Sequence, residues 1–300
     1  MSEGSFKRVL VAGATGYLGR FVVQAFKEQG HHVRVLTRAE GRLAEPGPFT
    51  APALTKSDYD EVFVGQVTQP ETLKGLMDSI DVVFSCVGIS RQRDGLTFEQ
   101  VDYQANRSLI ELSKAAGVRR FVYVSMQGAE HIEHLAITQA HEKVVAALKG
   151  SGLEYRIVRP CGYFSDMGAL YDMARSGRVY LVGEGNNRMN PIHGRDLARI
   201  CVETASGDAL EVVAGGPDVM TQREAAELAF EVVGKPAKIT VVPIWLARLL
   251  MWGIGLFSRQ YRDLADFIIT AGEIDGVGPT VGTTTLRSYF EFLLARDVEA

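Results

Sequence analysis

Three hundred residues, 46% hydrophobic and 23% charged, are enough chain to bury a large core in one big domain or in a domain with an appended lobe. Lys and Arg number 32 against 36 Asp and Glu, a net charge of −4 with no basic block or aromatic-basic stripe. That balance gives no reason to expect nucleic acid and makes a small organic molecule the default partner.

The first apolar run, residues 9–12, leads straight into Gly13-Ala14-Thr15-Gly16-Tyr17-Leu18-Gly19, three glycines at G-x-x-G-x-x-G spacing. Glycine permits a tight bend and close backbone approach to a pyrophosphate, and the helix that starts there aims free N–H groups and the positive end of its dipole at the phosphates. Phe21, Val22, Ala25 and Phe26 follow at helical spacing until Gly30. The turn predicts a dinucleotide site on Gly13, Thr15, Gly16, Tyr17, Leu18 and Gly19, against the plainer reading of a turn that only packs tightly. The next strand, 32–38, ends in Thr37-Arg38. An acidic residue there would accept hydrogen bonds from the ribose of NAD; Arg38 instead offers forked donors and a fixed charge to a 2′-phosphate, so NADP is expected in preference to NAD. A solvated surface arginine is the alternative.

Pro46, Gly47, Pro48 and Pro52 mark a surface loop beside the adenine end. A third strand is predicted over 61–65, a helix beginning at proline over 70–77, and a fourth strand over 81–88. Gly88 lets the backbone pass near the nicotinamide half, with Cys86 and Val87 as further cofactor contacts. The loop 90–95 is rich in guanidinium donors, and Arg91 is a candidate to grip a carboxylate or phosphate unless the loop is simply solvated. A helix over 98–116, a strand over 120–125, a helix over 138–149 and a strand over 155–160 that stops at Pro160 complete a regular alternation. That alternation predicts an α/β fold of Rossmann type, a doubly wound parallel sheet with right-handed crossovers.

Residues 1–160 are read as the dinucleotide-binding core and 161–300 as a smaller substrate or lid lobe of mixed α/β structure, interleaved with it. The lobe carries strands over 179–182 and 210–214 and helices over 195–204 and 221–233, expected over the carboxyl ends of the core strands. Tyr163 and Phe164 on one wall and His193 on the other suit an apolar molecule with a few polar handles. His193 and Asp196 have an alternative role in packing and capping the following helix. Residues 241–257 are apolar nearly all round apart from Arg248, and short for a transmembrane span. A buried core or lid helix, a homodimer surface, and a peripheral membrane contact anchored by Trp245 and Trp252 all remain open. Cys86, Cys161 and Cys201, widely spaced in apolar surroundings, fit reduced and buried thiols in a cytoplasmic protein rather than a disulfide framework or metal site. The first apolar run is too short for a secretory signal.

The glycine turn, the strand ending at Arg38, residues 85–88, Asn106, Phe121-Val122-Tyr123-Val124-Ser125, residues 151–160 and Pro191-Ile192-His193-Gly194-Arg195-Asp196 occur in order. Over 7–235 the chain thereby resembles the extended and atypical short-chain dehydrogenase/reductase superfamily, in particular its NmrA-like NAD(P)H-binding members. Catalytic members of that superfamily carry a Tyr-x-x-x-Lys pair, whose lysine holds the nicotinamide ribose and lowers the tyrosine pKa. Here the corresponding positions are His134 and Thr138. His134 is a candidate replacement proton donor, or else a surface loop residue. His141 and Lys143 follow one turn later. Ser125 matches the superfamily serine that contacts substrate or cofactor, and Pro160 joins the cofactor set. The resemblance implies an NADP(H)-dependent oxidoreductase that transfers a hydride between nicotinamide and a small, partly apolar carbonyl, quinone or activated alkene. Its rival is a non-catalytic NADP(H)-binding redox sensor or assembly factor that acts through a protein partner.

Overall fold

Strand residues buried alternately on two sides decide the central sheet. In β1 (Arg8–Ala12), Leu10 and Ala12 belong to the core layer that also holds Leu36, Val83, Phe121 and Ile157, while Val9 and Val11 are equally buried at the intervening positions. The computed structural model describes residues 7–89, 95–255 and 272–299, together with 263, 265–267, 269 and 270.

β1 is followed by β2 (His32–Thr37), β3 (Glu61–Val64), β4 (Val82–Ser85), β5 (Arg120–Val124) and β6 (Glu154–Pro160), which pair in parallel. With β9 (Glu211–Ala214) they form a seven-stranded sheet of order β3-β2-β1-β4-β5-β6-β9. The order reverses at β1, which has β2 on one side and β4 on the other, and Ala12 stands opposite Ser85. Ligands of such sheets bind at this switch point, beyond the carboxyl ends of the strands.

Helices α1 (Tyr17–Glu28), α2 (Gly41–Ala44), α3 (Asn106–Ala115) and α4 (Ala136–Lys149) connect these strands. Phe26 of α1 meets Phe84 of β4 edge to face, with ring centroids 5.9 Å apart. Residues 99–105, expected as the start of an ordinary helix, are wound more widely as a π-helix. The helix expected over 70–77 shrinks to a single 3-10 turn, Pro70–Leu73, because Lys74 is extended and Gly75 turns left-handed. The loop expected after Arg38 contains α2 and a further 3-10 turn, Pro48–Thr50.

Two compact units divide the chain: 1–126, 136–159 and 197–212 form the first, and 127–135, 160–196 and 213–300 the second. In the second, β7 (Val179–Val182) pairs in parallel with β11 (Ile239–Val242), and β8 (Arg188–Met189) runs antiparallel to β10 (Met220–Thr221). Around them lie α5 (Phe164–Ser176), α6 (Gly194–Ser206, which continues into the first unit), α7 (Gln222–Val232), α8 (Ile244–Gly255) and α9 (Leu286–Glu299). Phe164, Tyr171, Phe230 and Phe290 form the core of this unit. Asn190 is fully buried and donates to the carbonyls of Gly216 and Gly278 while accepting the Gly278 N–H.

One open alternative falls here and one expectation is corrected. Helix α8 is not buried: Trp245, Leu249 and Trp252 at i, i+4 and i+7 are 68%, 54% and 62% exposed, and only the small Ala247 is fully packed inward among its described side chains. No helix among the described residues is long and apolar enough to cross a membrane. Of the three thiols only Cys201 is buried; Cys86 and Cys161 are half-buried.

At the opposite end of the sheet, the Glu61 carboxylate takes hydrogen bonds from His32, Arg34 and Arg8 at 2.8, 2.6 and 2.5 Å. Burial alone would raise its pKa; these partners outweigh burial and pull it from 4.5 down to about 2. A carboxylate held low stabilises the fold above its unfolded value and loses that contribution as pH falls through the folded one. The thermal midpoint of Glu61→Gln should therefore lie below that of the unaltered protein near neutrality, with the gap closing between pH 4.5 and about 2. Parallel midpoints throughout that acid range would show that Glu61 contributes nothing.

Candidate functional site

The glycine turn sits at the switch point and is built by close approaches. Gly13 takes a left-handed φ of +94°, and a Cβ on it would lie 2.9 Å from Cys86 Sγ. Its carbonyl accepts the Gly16 N–H at 2.9 Å. A Cβ on Gly19 would stand 2.0 Å from that same carbonyl oxygen. Helix α1 therefore begins hard against the turn. Its N-cap, Gly16, offers no side-chain cap, and its first turn holds no acidic residue. The positive dipole end of α1 therefore meets neither a side-chain cap nor a carboxylate of its own first turn, the chemistry of a pyrophosphate site. The residues present fit a dinucleotide: Gly13, Thr15, Gly16, Tyr17, Leu18 and Gly19 would hold its phosphates. When bound, its nicotinamide supplies the hydride. Arg38 follows β2 directly and is exposed.

Beyond β4 the backbone is held by a buried polar network. Ser85 Oγ donates to Asn106 Oδ1 at 2.5 Å, and Asn106 Nδ2 donates to the carbonyls of Val87 and Asp102 at 3.0 and 2.7 Å. The Asp102 carboxylate accepts the Ile89 N–H at 3.2 Å and lies 3.3 Å from His141 Nε2, whose ring Nδ1 is 2.8 Å from the Tyr123 hydroxyl. Asp102 is 1% exposed, and burial raises its pKa against the opposing pull of His141. A Cβ on Gly88 would lie 2.9 Å from Asp102 Oδ1, so glycine is required where the chain passes this carboxylate. The sequence pointed to Asn106, Tyr123, Gly88 and His141 but not to Asp102. The available signal was an acid four residues before Asn106, on the face that continues through the buried Leu109, Ile110 and Ser113.

The catalytic candidates occupy different settings. Ser125 is 4% exposed; its hydroxyl donates to Glu142 Oε1 at 3.1 Å and accepts from Arg159 Nη1 at 3.3 Å. Arg159 also binds Glu142 at 2.7 Å, Glu211 at 3.0 Å and the Met126 carbonyl at 3.1 Å. Burial opposes its charge, but the two glutamates prevail and raise its pKa. Lys143 Nζ is 2.9 Å from Glu99 Oε2 and 5.4 Å from the centre of the Tyr103 ring, with half its side chain exposed. These residues belong to the first unit.

His134 lies exposed in the second unit, between the Ala129–His131 turn and α4. In that unit the His193 ring stands edge-on to Phe164 at 5.8 Å and 6.1 Å from Tyr289. Burial lowers the His193 pKa, favouring the neutral ring, and its Nδ1 accepts the Arg195 N–H at 3.2 Å. Phe164 is 1% exposed, while Tyr163 is half-buried and bridges to Ile192. Asp196 accepts the N–H groups of Thr283 and Thr284 at 2.8 and 2.7 Å. Pro160 is buried and its carbonyl accepts the Gln127 N–H at 3.1 Å. Cys86 donates weakly to the Ala12 carbonyl at 3.6 Å, and burial pushes its thiol up to about 12. Arg91 lies outside the described residues.

A parallel sheet with a glycine turn and an uncapped helix at its switch point defines a dinucleotide-binding α/β protein. A family model described as NAD(P)H-binding matches residues 13–207, and the chain belongs to that family. Relatives include the photosystem II assembly factor Ycf39 of Trieres chinensis, 26% identical over 254 residues that cover 83% of this chain and 76% of the relative. Another is the chloroplastic divinyl chlorophyllide a 8-vinyl-reductase of Zea mays, 25% identical over 273 residues covering 86% and 67%. Two solved structures share the fold. An NADPH-dependent quinone oxidoreductase from Escherichia coli, complexed with NADPH, has a TM-score of 0.76 at 19% identity over 95% of this chain and 99% of that one. A triphenylmethane reductase from Citrobacter has a TM-score of 0.75 at 18% identity over 97% and 100%.

The Gly19 clearance yields a direct test. In Gly19→Ala the helix start must move away from the turn, and NADPH affinity measured by titration calorimetry should fall at least about tenfold, some 1.4 kcal/mol. Unchanged affinity in a folded variant would remove the turn from the binding site.

Proposed function

We propose that this protein is an NADP(H)-dependent oxidoreductase that reduces a small, partly apolar carbonyl, quinone or activated alkene. The observation that carries the reading is the uncapped N-terminus of α1 at the switch point, reached through a turn whose glycines cannot carry side chains, with Arg38 at the ribose end in place of an acid. Three named proteins of similar sequence or fold are a vinyl reductase, a quinone oxidoreductase and a dye reductase, which supports a reducible conjugated substrate. Arg38 favours NADP over NAD because a guanidinium pairs with a 2′-phosphate by forked, charge-assisted hydrogen bonds.

The proton that reduction requires is assigned to His134, an exposed imidazole between the Ala129–His131 turn and α4. Ser125 and Lys143 are proposed to orient substrate and cofactor, which requires each to exchange its present carboxylate partner, Glu142 or Glu99. Tyr163 and His193 are proposed to bound the apolar part of the substrate, with the buried Phe164 backing the His193 ring, and Arg91 an acidic group on it. A cytoplasmic setting is proposed on the three free cysteines.

A second reading is favoured by a specific observation, the exposed Trp245, Leu249 and Trp252 stripe of α8 together with the lack of a Tyr-x-x-x-Lys pair. On it the chain is an NADP(H)-binding assembly factor or redox sensor, the former in keeping with the Ycf39 assembly factors among its relatives, and the stripe meets a protein partner, a second copy or a membrane surface.

The two readings part in one experiment. The oxidoreductase should consume NADPH with at least one acceptor from a panel of quinones, enones and aldehydes; Arg38→Asp should lower NADPH affinity about tenfold while leaving NADH affinity nearly unchanged. His134→Ala should lower kcat and leave cofactor affinity intact. Tight NADPH binding with no turnover across the panel would sink the enzymatic reading and leave the assembly role.

A further inference from the structure

Arg20 follows the glycine turn immediately, lies in the first turns of α1, and is 2% exposed. Its guanidinium donates to backbone carbonyls from all three nitrogens: Nε to Thr15 at 3.3 Å, Nη1 to Leu43, Glu45 and Pro52 at 3.0, 2.7 and 2.9 Å, and Nη2 to Arg42 at 2.6 Å. One acceptor belongs to the glycine turn. The other four belong to the segment that leaves β2 just after Arg38. A single rigid fork thus joins the phosphate end of the site to its ribose end.

Three further features show that this segment is held in place. Phe49 and Thr50 both adopt left-handed backbone, at φ 52° and 76°, which side chains other than glycine avoid unless the surroundings impose it. The Phe49 ring packs edge-on against Tyr17 of the glycine turn at 6.4 Å, giving the segment a second attachment to α1. Gly47 faces the arginine itself: a Cβ there would lie 2.4 Å from Arg20 Cδ and 2.5 Å from Nε. Because five hydrogen bonds fix that side chain, it cannot swing aside without releasing the segment.

We infer that Arg20 is a positioning residue that sets cofactor selectivity by locking residues 41–52 onto the glycine turn. Selectivity for a 2′-phosphate needs cationic groups at a fixed distance from the pyrophosphate, since forked hydrogen bonds tolerate little displacement. Arg38 enters this segment, and Arg42, exposed on α2, has its own carbonyl pinned by Arg20. With the lock released the charges remain but their placement does not. The 2′-phosphorylated cofactor then loses affinity, and the plain one does not. This inference rests on the NADP reading of Arg38.

The test measures dissociation constants for NADPH and NADH, with hydrogen exchange over 41–52, in the unaltered protein and in Arg20→Met, Arg20→Lys and Gly47→Ala. Arg20→Met and Gly47→Ala should weaken NADPH about tenfold, change NADH less than about threefold, and speed exchange in the segment. Arg20→Lys, which keeps the charge and loses the fork, should fall between. Gly47→Ala leaves Arg20 in the chain, so it reports even if Arg20→Met does not fold. A preference for NADPH that survives both Arg20→Met and Gly47→Ala overturns the inference alone, as does an Arg20→Lys variant equal to the unaltered protein. An unaltered protein that binds both cofactors alike overturns the NADP reading and this inference with it.

Discussion

The Gly13 carbonyl oxygen is the atom around which the nucleotide end of the first unit is arranged. It accepts the Gly16 N–H, it stands where a side chain on Gly19 would collide, and it receives a weak donor from the Cys86 thiol across the switch point. Each of these relations fixes one neighbour: the turn, the start of α1, and the end of β4. Because α1 begins so close to the strand, the positive end of its dipole is directed at the space beyond β1. A larger residue at 13 or 19 would push that helix start away.

The sheet was readable in the sequence because its strands are buried on both sides and therefore nearly continuous in apolar residues. Val9 to Ala12 and Val82 to Phe84 declare themselves in this way. What the sequence concealed were elements defined by distant partners. Residues 41–44 and 48–50 carry no periodicity of their own, and their path is set by the Arg20 side chain from another helix. Helix α8 was ambiguous rather than hidden. Its hydrophobicity matched a buried helix, and no local signal distinguishes an apolar face turned inward from one turned outward.

Candidate site residues were legible in proportion to how far backbone geometry dictates them. Gly13, Gly19 and Gly88 are explained by side chains that cannot exist there, a constraint that acts on residue type directly. Side-chain chemistry was harder to read. Ser125 and Lys143 carry suitable groups, yet each is bound to a glutamate that spacing could not identify. Asp102 was hidden because a buried acid is uncommon and looks, in one dimension, like any exposed charge on a helix. Its recognition required the π-helical turn that carries it inward and the imidazole that meets it.

Both tryptophans of the chain lie on α8, and both are more than half exposed. Indole emission therefore reports hydrated side chains in the folded protein already, and it shifts little when the sheet melts. A fluorescence trace read alone would underestimate the cooperativity of unfolding. The same placement makes the emission a specific reporter of whatever covers that helix, because a blue shift can arise at no other position in the chain.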